Sequence, residues 1–353
     1  MRKYLLGGNT PMGFYSYYDY LIKQQDAEII YIIKGGPGTG KSTLMKKIGK
    51  WAEANGLEAD YIYCSSDPDS LDGLVIPKIN AAIVDGTAPH VVDPKNPGAV
   101  DTILYMGDCW YREEIKKNKE EIISINKQIK EKYSFAYDHL RAAGCLYEAI
   151  EKLHKKLVKK EAIEKTAGEI IYSEIKDFSD RGTGYERKLF ASAFGPTGYI
   201  SYADTISCNK KYVISGIGTE FVLKRVAAAF NEYDYDTELF YNPLSPEKEV
   251  LHIYVPELDV GIFTGDALSG VKQDKAIIMD LSHAADKYVF EEYTEELDNC
   301  RVAMERQSEE ACKIILSAKT LHDKLESFYI PNMNFEEIGK KGEEIIAHLE
   351  SMI

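Results

Sequence analysis

Two rhythms of apolar residues organise this chain. The first is a set of short runs: Ile29-Ile30-Tyr31-Ile32-Ile33, then stretches near 59–64, 79–84 and 102–106. Short runs rich in β-branched and aromatic residues predict buried strands. Between the first two, Thr43-Leu44-Met45-Lys46-Lys47-Ile48 opens a helical pattern. The second rhythm is a 3/4 spacing sustained over long segments, from about Trp110 to Ile175 and from about Ala284 onward. Ile115, Ile122, Ile125, Ile129, Tyr133, Ala136 and Leu140 keep it, and after Gly144 so do Leu146, Ile150, Leu153 and Leu157. Lys and Glu fill the gaps, so each segment predicts an amphipathic helical hairpin, its two helices packed on each other or on the sister hairpin, or projecting as an arm to grip a protein partner. Strands alternating with helices predict an α/β fold, a mostly parallel sheet with helices on both faces.

The pattern is written twice. Residues 2–19 (RKYLLGGNTPMGFYSYYD) align without a gap on 187–204 (RKLFASAFGPTGYISYAD), and GTGKSTLMKKIGKWA at 38–52 faces GIGTEFVLKRVAAAF at 216–230. IPKINAAIVDG at 76–86 faces VPELDVGIFTG at 255–265, and EKTAGEII at 164–171 faces GKKGEEII at 339–346. Four matches in one order predict tandem duplication. Each half is expected to run short strand, helix, apolar strand, glycine loop, helix, further strands and a closing hairpin. The predicted units are 1–110, 111–183, 184–283 and 284–353, with a flexible joint near Asp180–Gly184.

At 353 residues the chain exceeds one ordinary domain, and its net charge of −14 argues against broad nucleic-acid binding. Met1-Arg-Lys precedes only two leucines before Gly7-Gly8, which makes no secretory leader, and no apolar run approaches membrane length. Six scattered cysteines contain no C-x-x-C pair and read as ordinary reduced residues, not a disulfide framework or zinc site. The expected compartment is the cytoplasm.

The chemistry concentrates behind Ile33. Gly35-Gly36-Pro37-Gly38-Thr39-Gly40-Lys41-Ser42-Thr43 stands between a strand pattern and a helix pattern, the context a G-x-x-x-x-G-K-S phosphate loop requires. Glycines let backbone N–H groups converge on phosphate oxygens, and the helix start adds its positive dipole end. Lys41 is expected at the β- and γ-phosphates and Ser42 on Mg²⁺. Asp85, ending Ile83-Val84-Asp85-Gly86, is the expected Walker B carboxylate, a second holder of the metal. The residue that orients the attacking water is open: Asp67 leads and Asp108 follows, both after apolar runs, and both equally at home in turns. His90 reads as a packed side chain.

The second half places Thr219 and Glu220 where Lys41 and Ser42 stand, Thr264 opposite Asp85, Ser245 opposite Asp67 and Leu281 opposite Asp108. A carboxylate without a lysine repels phosphate, so one chain is expected to bind one nucleotide. Arg187 and Arg225 are the second half's candidates for an arginine finger. ATP is favoured over GTP because Asn126-Lys127-Gln128-Ile129 and Asn209-Lys210-Lys211-Tyr212 both fail an N-K-x-D base-reading motif.

Thr10–Gly13, the loop at Gly35–Thr43, C-S-S-D-P-D-S-L-D-G at Cys64–Gly73 and I-V-D-G-T-A-P-H at Ile83–His90 together resemble an uncharacterised family of duplicated P-loop ATPases from Firmicutes bacteria. The resemblance covers essentially the whole chain and implies a tandem P-loop NTPase fold with a degenerate second half. The expected function is a slow Mg²⁺-dependent ATPase or ATP-driven switch acting on a macromolecular partner. The alternatives are a small-molecule or nucleotide kinase and a non-hydrolysing nucleotide-sensing scaffold.

Overall fold

The structure is a computed structural model and describes residues 1–176, 183–265 and 269–353. In the first half β1 (Arg2–Tyr4) leads into an antiparallel pair, β2 (Gly7–Thr10) and β3 (Gly13–Ser16). Then come β4 (Ile29–Lys34), α1 (Lys41–Ala54), β5 (Asp60–Tyr63), β6 (Leu71–Ile76), β7 (Ala81–Asp85) and β8 (Asp101–Tyr105). A short α2 (Arg112–Lys116) precedes the 39-residue α3 (Lys119–Leu157) and α4 (Lys160–Glu174).

The second half repeats this order. It runs β9 (Glu186–Leu189), β10 (Ser192–Gly195), β11 (Gly198–Ser201), β12 (Lys210–Ser215), α5 (Thr219–Glu232), β13 (Thr237–Asn242), β14 (Ser245–Val255), β15 (Val260–Thr264) and β16 (Ile277–Asp280). The 43-residue α6 (Lys287–Tyr329) and α7 (Phe335–Glu350) close it.

Each half forms a six-stranded mixed sheet, ordered β1-β5-β6-β7-β4-β8 and β9-β13-β14-β15-β12-β16. Five strands run parallel, and β6 and β14 run against their neighbours. The registers coincide: Ile33 pairs with Asp85 as Ile214 pairs with Thr264. Even the left-handed residue after the Pro77–Ile79 turn, Asn80 at φ 48°, recurs as Asp259 at φ 50° after Pro256–Leu258. These correspondences fit a duplicated chain. They also pair Asp108 with His283 instead of Leu281: Lys34↔Tyr105 and Ser215↔Asp280 set the register, and Leu281 matches Met106, both fully buried.

Several expectations are corrected. The predicted helix before β4 is a β-hairpin followed by one turn of 3-10 helix at Tyr18–Tyr20. Helices do not cover both faces of the first sheet. Tyr31 and Ile33 share a core with Leu44, Met45 and Ile48 of α1 and Ile338 and Ile345 of α7. Ile30 and Ile32 join the core of Leu6, Tyr18 and Leu21 from the segment between β1 and β4. The predicted joint at Asp180–Gly184 lies mostly outside the described residues.

The helical arms hold the largest departure. Gly144 does not turn the chain; α3 runs straight through it, and a Cβ there would come within 2.7 Å of Pro11 Cγ. The glycine admits the tip of the β2–β3 hairpin against the helix, and the turn falls at Val158–Lys159 instead. α3 and α6 lie antiparallel for nearly their whole length of ~58 Å, with Glu121 2.7 Å from Lys324 and His139 2.7 Å from Gln307.

The returning helices cross over. α4 packs on α5 of the second half through Ile163, Ala167 and Ile170, while α7 packs on α1 of the first. The crossings use the same hydrogen bonds. Asn334 N–H donates to Cys109 O at 2.7 Å and Tyr111 N–H to Asn332 O at 2.8 Å; Lys159 N–H donates to Ala284 O and Asp286 N–H to Leu157 O, both at 2.8 Å. Each half therefore carries the other half's helical cover.

The sheets meet edge to edge. Leu5 and Phe190 exchange backbone hydrogen bonds of 2.9 and 3.0 Å just beyond β1 and β9. Beside them Arg2 pairs with Asp60 and Glu238, and Arg187 with Glu238 and the Tyr4 hydroxyl. Burial alone would raise the Glu238 carboxyl, but the two arginines hold it below its usual range. Arg187 is consumed in this seam and Arg225 lies 3.8 Å from Glu164, so neither arginine is placed as a finger. No helix among the described residues is long and apolar enough to cross a membrane.

Candidate functional site

β4 is flanked by β7 and the edge strand β8, so the connection from β4 into α1 emerges on the sheet's C-terminal edge, one strand in from its side. Ligand crevices of open α/β sheets lie along that edge. Residues 35–40 form the connection. Gly38 (φ 66°) and Gly40 (φ 82°) take left-handed backbone, and Gly40 caps α1 so that the helix starts at Lys41. Gly35 is required by crowding: a Cβ would lie 2.8 Å from Met106 Cβ and 2.9 Å from Thr39 Oγ1. The Thr39 hydroxyl donates to Gly36 O at 2.8 Å and pins the loop from inside.

The register that sets Ile33 beside Asp85 brings the predicted polar residues together. Lys41 Nζ lies 3.5 Å from Asp85 Oδ2 and donates to Gly36 O at 2.7 Å and Gly35 O at 3.1 Å. Asp85 Oδ1 accepts from Thr87 N–H at 2.8 Å, and the Thr87 hydroxyl donates to Gly35 O. Ser42 Oγ accepts from Leu71 N–H at 3.0 Å, which ties α1 to β6. Pro37 is half-buried within the loop and Thr43 is exposed on α1.

The candidates for the water are placed differently. Asp67 accepts from the Ser70 hydroxyl at 2.8 Å and Asp69 N–H at 3.4 Å, and Lys319 of α6 stands 3.6 Å away. It closes its own turn. Asp108 is 66% exposed beside Lys341.

Nothing in the local pattern of the chain points to what covers the loop. Glu326 of α6, 288 residues along the chain, accepts from Gly38 N–H through Oε1 at 3.1 Å. Tyr329 lies over Gly36, Ile330 against Gly38 and Phe335 near Gly40; an added Cβ on Gly38 would meet Ile330 Cγ1 at 2.8 Å. Cavities of about 330 and 130 Å³ lie elsewhere, at the Arg2–Arg187 seam and beside Tyr18 and Asp101.

Asp72 also went unnoticed, although it sits inside the C-S-S-D-P-D-S-L-D-G stretch. The β5–β6 ladder is irregular beside it, since Ile62 pairs with Gly73 but Tyr63 with Leu71. A bulge re-aims side chains next to functional sites. Gly73 pairs with Val84, so Asp72 and Asp85 stand one step beyond on neighbouring strands. Burial raises the Asp72 carboxyl; nearby His90 opposes that shift and Asp85 adds to it.

The second half lacks the cradle itself. Only residues 216–218 join β12 to α5, three residues where the first half has six, although both following helices have 14 residues. Glu220 is held by His154 of α3 at 2.9 Å. Burial pushes the Glu249 carboxyl up to about 8, with Glu220 and Glu151 adding to the shift. Glu220, in the first turn of α5 beside the shortened loop, opposes a phosphate there.

No family model, curated protein or solved structure matches this chain.

Proposed function

We propose that the chain binds ATP with Mg²⁺ at the 35–43 loop and works as an ATP-driven switch with slow hydrolysis. The observation that carries this reading is the Glu326 carboxylate on Gly38 N–H, in a loop that ends at a helix N-terminus beside Lys41. An anionic oxygen on a loop N–H is the bond a phosphate oxygen would make, so the cradle suits the ligand. Gly35, Gly36, Pro37, Gly38, Thr39 and Gly40 would wrap the phosphates, and Thr43 would extend the N–H array into α1. Lys41 would release the Gly35 and Gly36 carbonyls to neutralise phosphate charge, and Ser42 and Asp85 would hold Mg²⁺. The metal would supply charge neutralisation at the phosphates.

Phosphates and Glu326 compete for one place. ATP binding would therefore push the C-terminal end of α6 from the loop, and with it free Asp67 from Lys319 to orient water. A partner would read that displacement along the α3–α6 pair, where Ile123, Phe135, Val302 and Leu316 are exposed.

Glu326→Ala keeps the Cβ against Gly38 and removes the competing oxygen. ATP affinity is expected to rise about tenfold, because a hydrogen bond to a charged group contributes roughly 1.5–3 kcal/mol and this one is partly exposed. Titration with a fluorescent ATP analogue reads it. Unchanged or weaker binding would show that Glu326 does not stand in the phosphate's place.

A further inference from the structure

Two motifs remain that the phosphate loop does not absorb, the stretch from Cys64 to Gly73 and the one ending at His90, and the fold brings them to one point. Cys64 follows the C-terminal end of β5, Asp72 sits at the irregularity in β6, and His90 lies in the turn after β7, its N–H donating to Thr87 O at 2.9 Å. All three are buried, at 7%, 4% and 7% exposure. One donor atom from each lies within 4.8 Å of the other two. We propose that Cys64, Asp72 and His90 form a binding site for a divalent transition metal, zinc by its donor set, separate from the Mg²⁺ position at Ser42 and Asp85.

The donor atoms are spaced for a cation. The Tyr18 hydroxyl donates to Asp72 Oδ2 at 3.0 Å and lies 3.3 Å from His90 Nδ1. His90 Nε2 faces Asp72 Oδ2 at 3.4 Å, close to the ~3.5 Å that separates neighbouring ligands around tetrahedral zinc. The Cys64 thiol donates to the same carboxylate, so all three side chains converge on one point. Binding would form S–metal, O–metal and N–metal bonds and release the thiol proton to solvent, with no change of oxidation state.

The surroundings are those of a ligand set with its supports. Tyr18 orients both Asp72 and His90, and the Phe14 ring stands edge-on to the imidazole at 5.0 Å. Outer partners of this kind fix a metal-binding histidine's tautomer and ring plane. Sulfur, nitrogen and oxygen donors in one set suit zinc over magnesium or calcium, and three protein ligands leave a fourth position open. No metal signal stands out along the chain because the ligands come from the end of β5, the interior of β6 and the turn after β7, and no two cysteines are paired by spacing.

The test uses the full chain, stripped with chelator and titrated with Co²⁺. The expected result is one equivalent bound, with visible d–d bands of tetrahedral cobalt and a near-ultraviolet thiolate-to-cobalt charge-transfer band, all displaced by Zn²⁺. Cys64→Ser should lose the charge-transfer band, and Asp72→Asn or His90→Ala should weaken Co²⁺ binding at least tenfold. A wild-type titration without the charge-transfer band overturns the proposal, and so does a band that survives in Cys64→Ser. The wild-type result needs no variant to fold, and Mg²⁺–ATP titration of the same samples keeps this site's fate distinct from that of the phosphate loop.

Discussion

Lys41→Ala is expected to lower ATP affinity by about 10²–10³-fold while the protein stays folded. Lys41 is the one lysine among the described residues that touches both the glycine loop and Asp85. Losing the ammonium that would pair with the phosphates costs roughly 2–5 kcal/mol, and the other charge of its 3.5 Å ion pair is left unpaired. Here that other charge is Asp85, which would add repulsion towards phosphate. The fold should persist because Leu44, Met45 and Ile48, not Lys41, anchor α1 in the core. Lys41→Met separates loss of charge from loss of the stem, and should bind as weakly as the alanine variant. Wild-type affinity in either, measured by fluorescent-ATP titration, would remove Lys41 from the site.

Excising residues 111–174 and bridging the ends with a short Gly-Ser linker is expected to abolish the cooperative thermal transition. A projecting arm would come away cleanly, but these helices are core. Leu140, Ala143, Ala167 and Ile170 are fully buried, and Ile163 and Ile170 cover Val222, Leu223 and Val226 of α5. Six large apolar side chains at ~2 kcal/mol each amount to about 12 kcal/mol. That is comparable with the ~5–15 kcal/mol by which a domain is stable at all. A soluble variant with a sharp melt would show that the arms are appendages after all.

How much of this was legible depends on sequence distance. The loop was readable because its parts are adjacent: Ile29–Ile33, the glycines and the start of α1 occupy one continuous stretch. The repeat was readable because matching Pro77–Asn80 and Pro256–Asp259 turns need matching residues. β6 was missed because Leu71-Asp72-Gly73-Leu74-Val75-Ile76 carries an aspartate and a glycine within its strand, which breaks both alternation and run. The role of Gly144 was not legible because a glycine's local meaning, a weak point in a helix, says nothing about Pro11 arriving from 133 residues earlier. The exchange of α4 and α7 between halves was invisible for a related reason. Identical repeats present identical apolar faces, so periodicity cannot say which sheet each helix covers.

The account's central claim is that one half alone carries a phosphate cradle. Calorimetry of the full chain with Mg²⁺ and a non-hydrolysable ATP analogue tests it directly. The expected stoichiometry is one nucleotide per chain, with no second phase at millimolar ligand. The shortened 216–218 loop together with Glu220 at the start of α5 should exclude phosphate from the second half. Two equivalents per chain, or one that survives in Lys41→Ala, would contradict it.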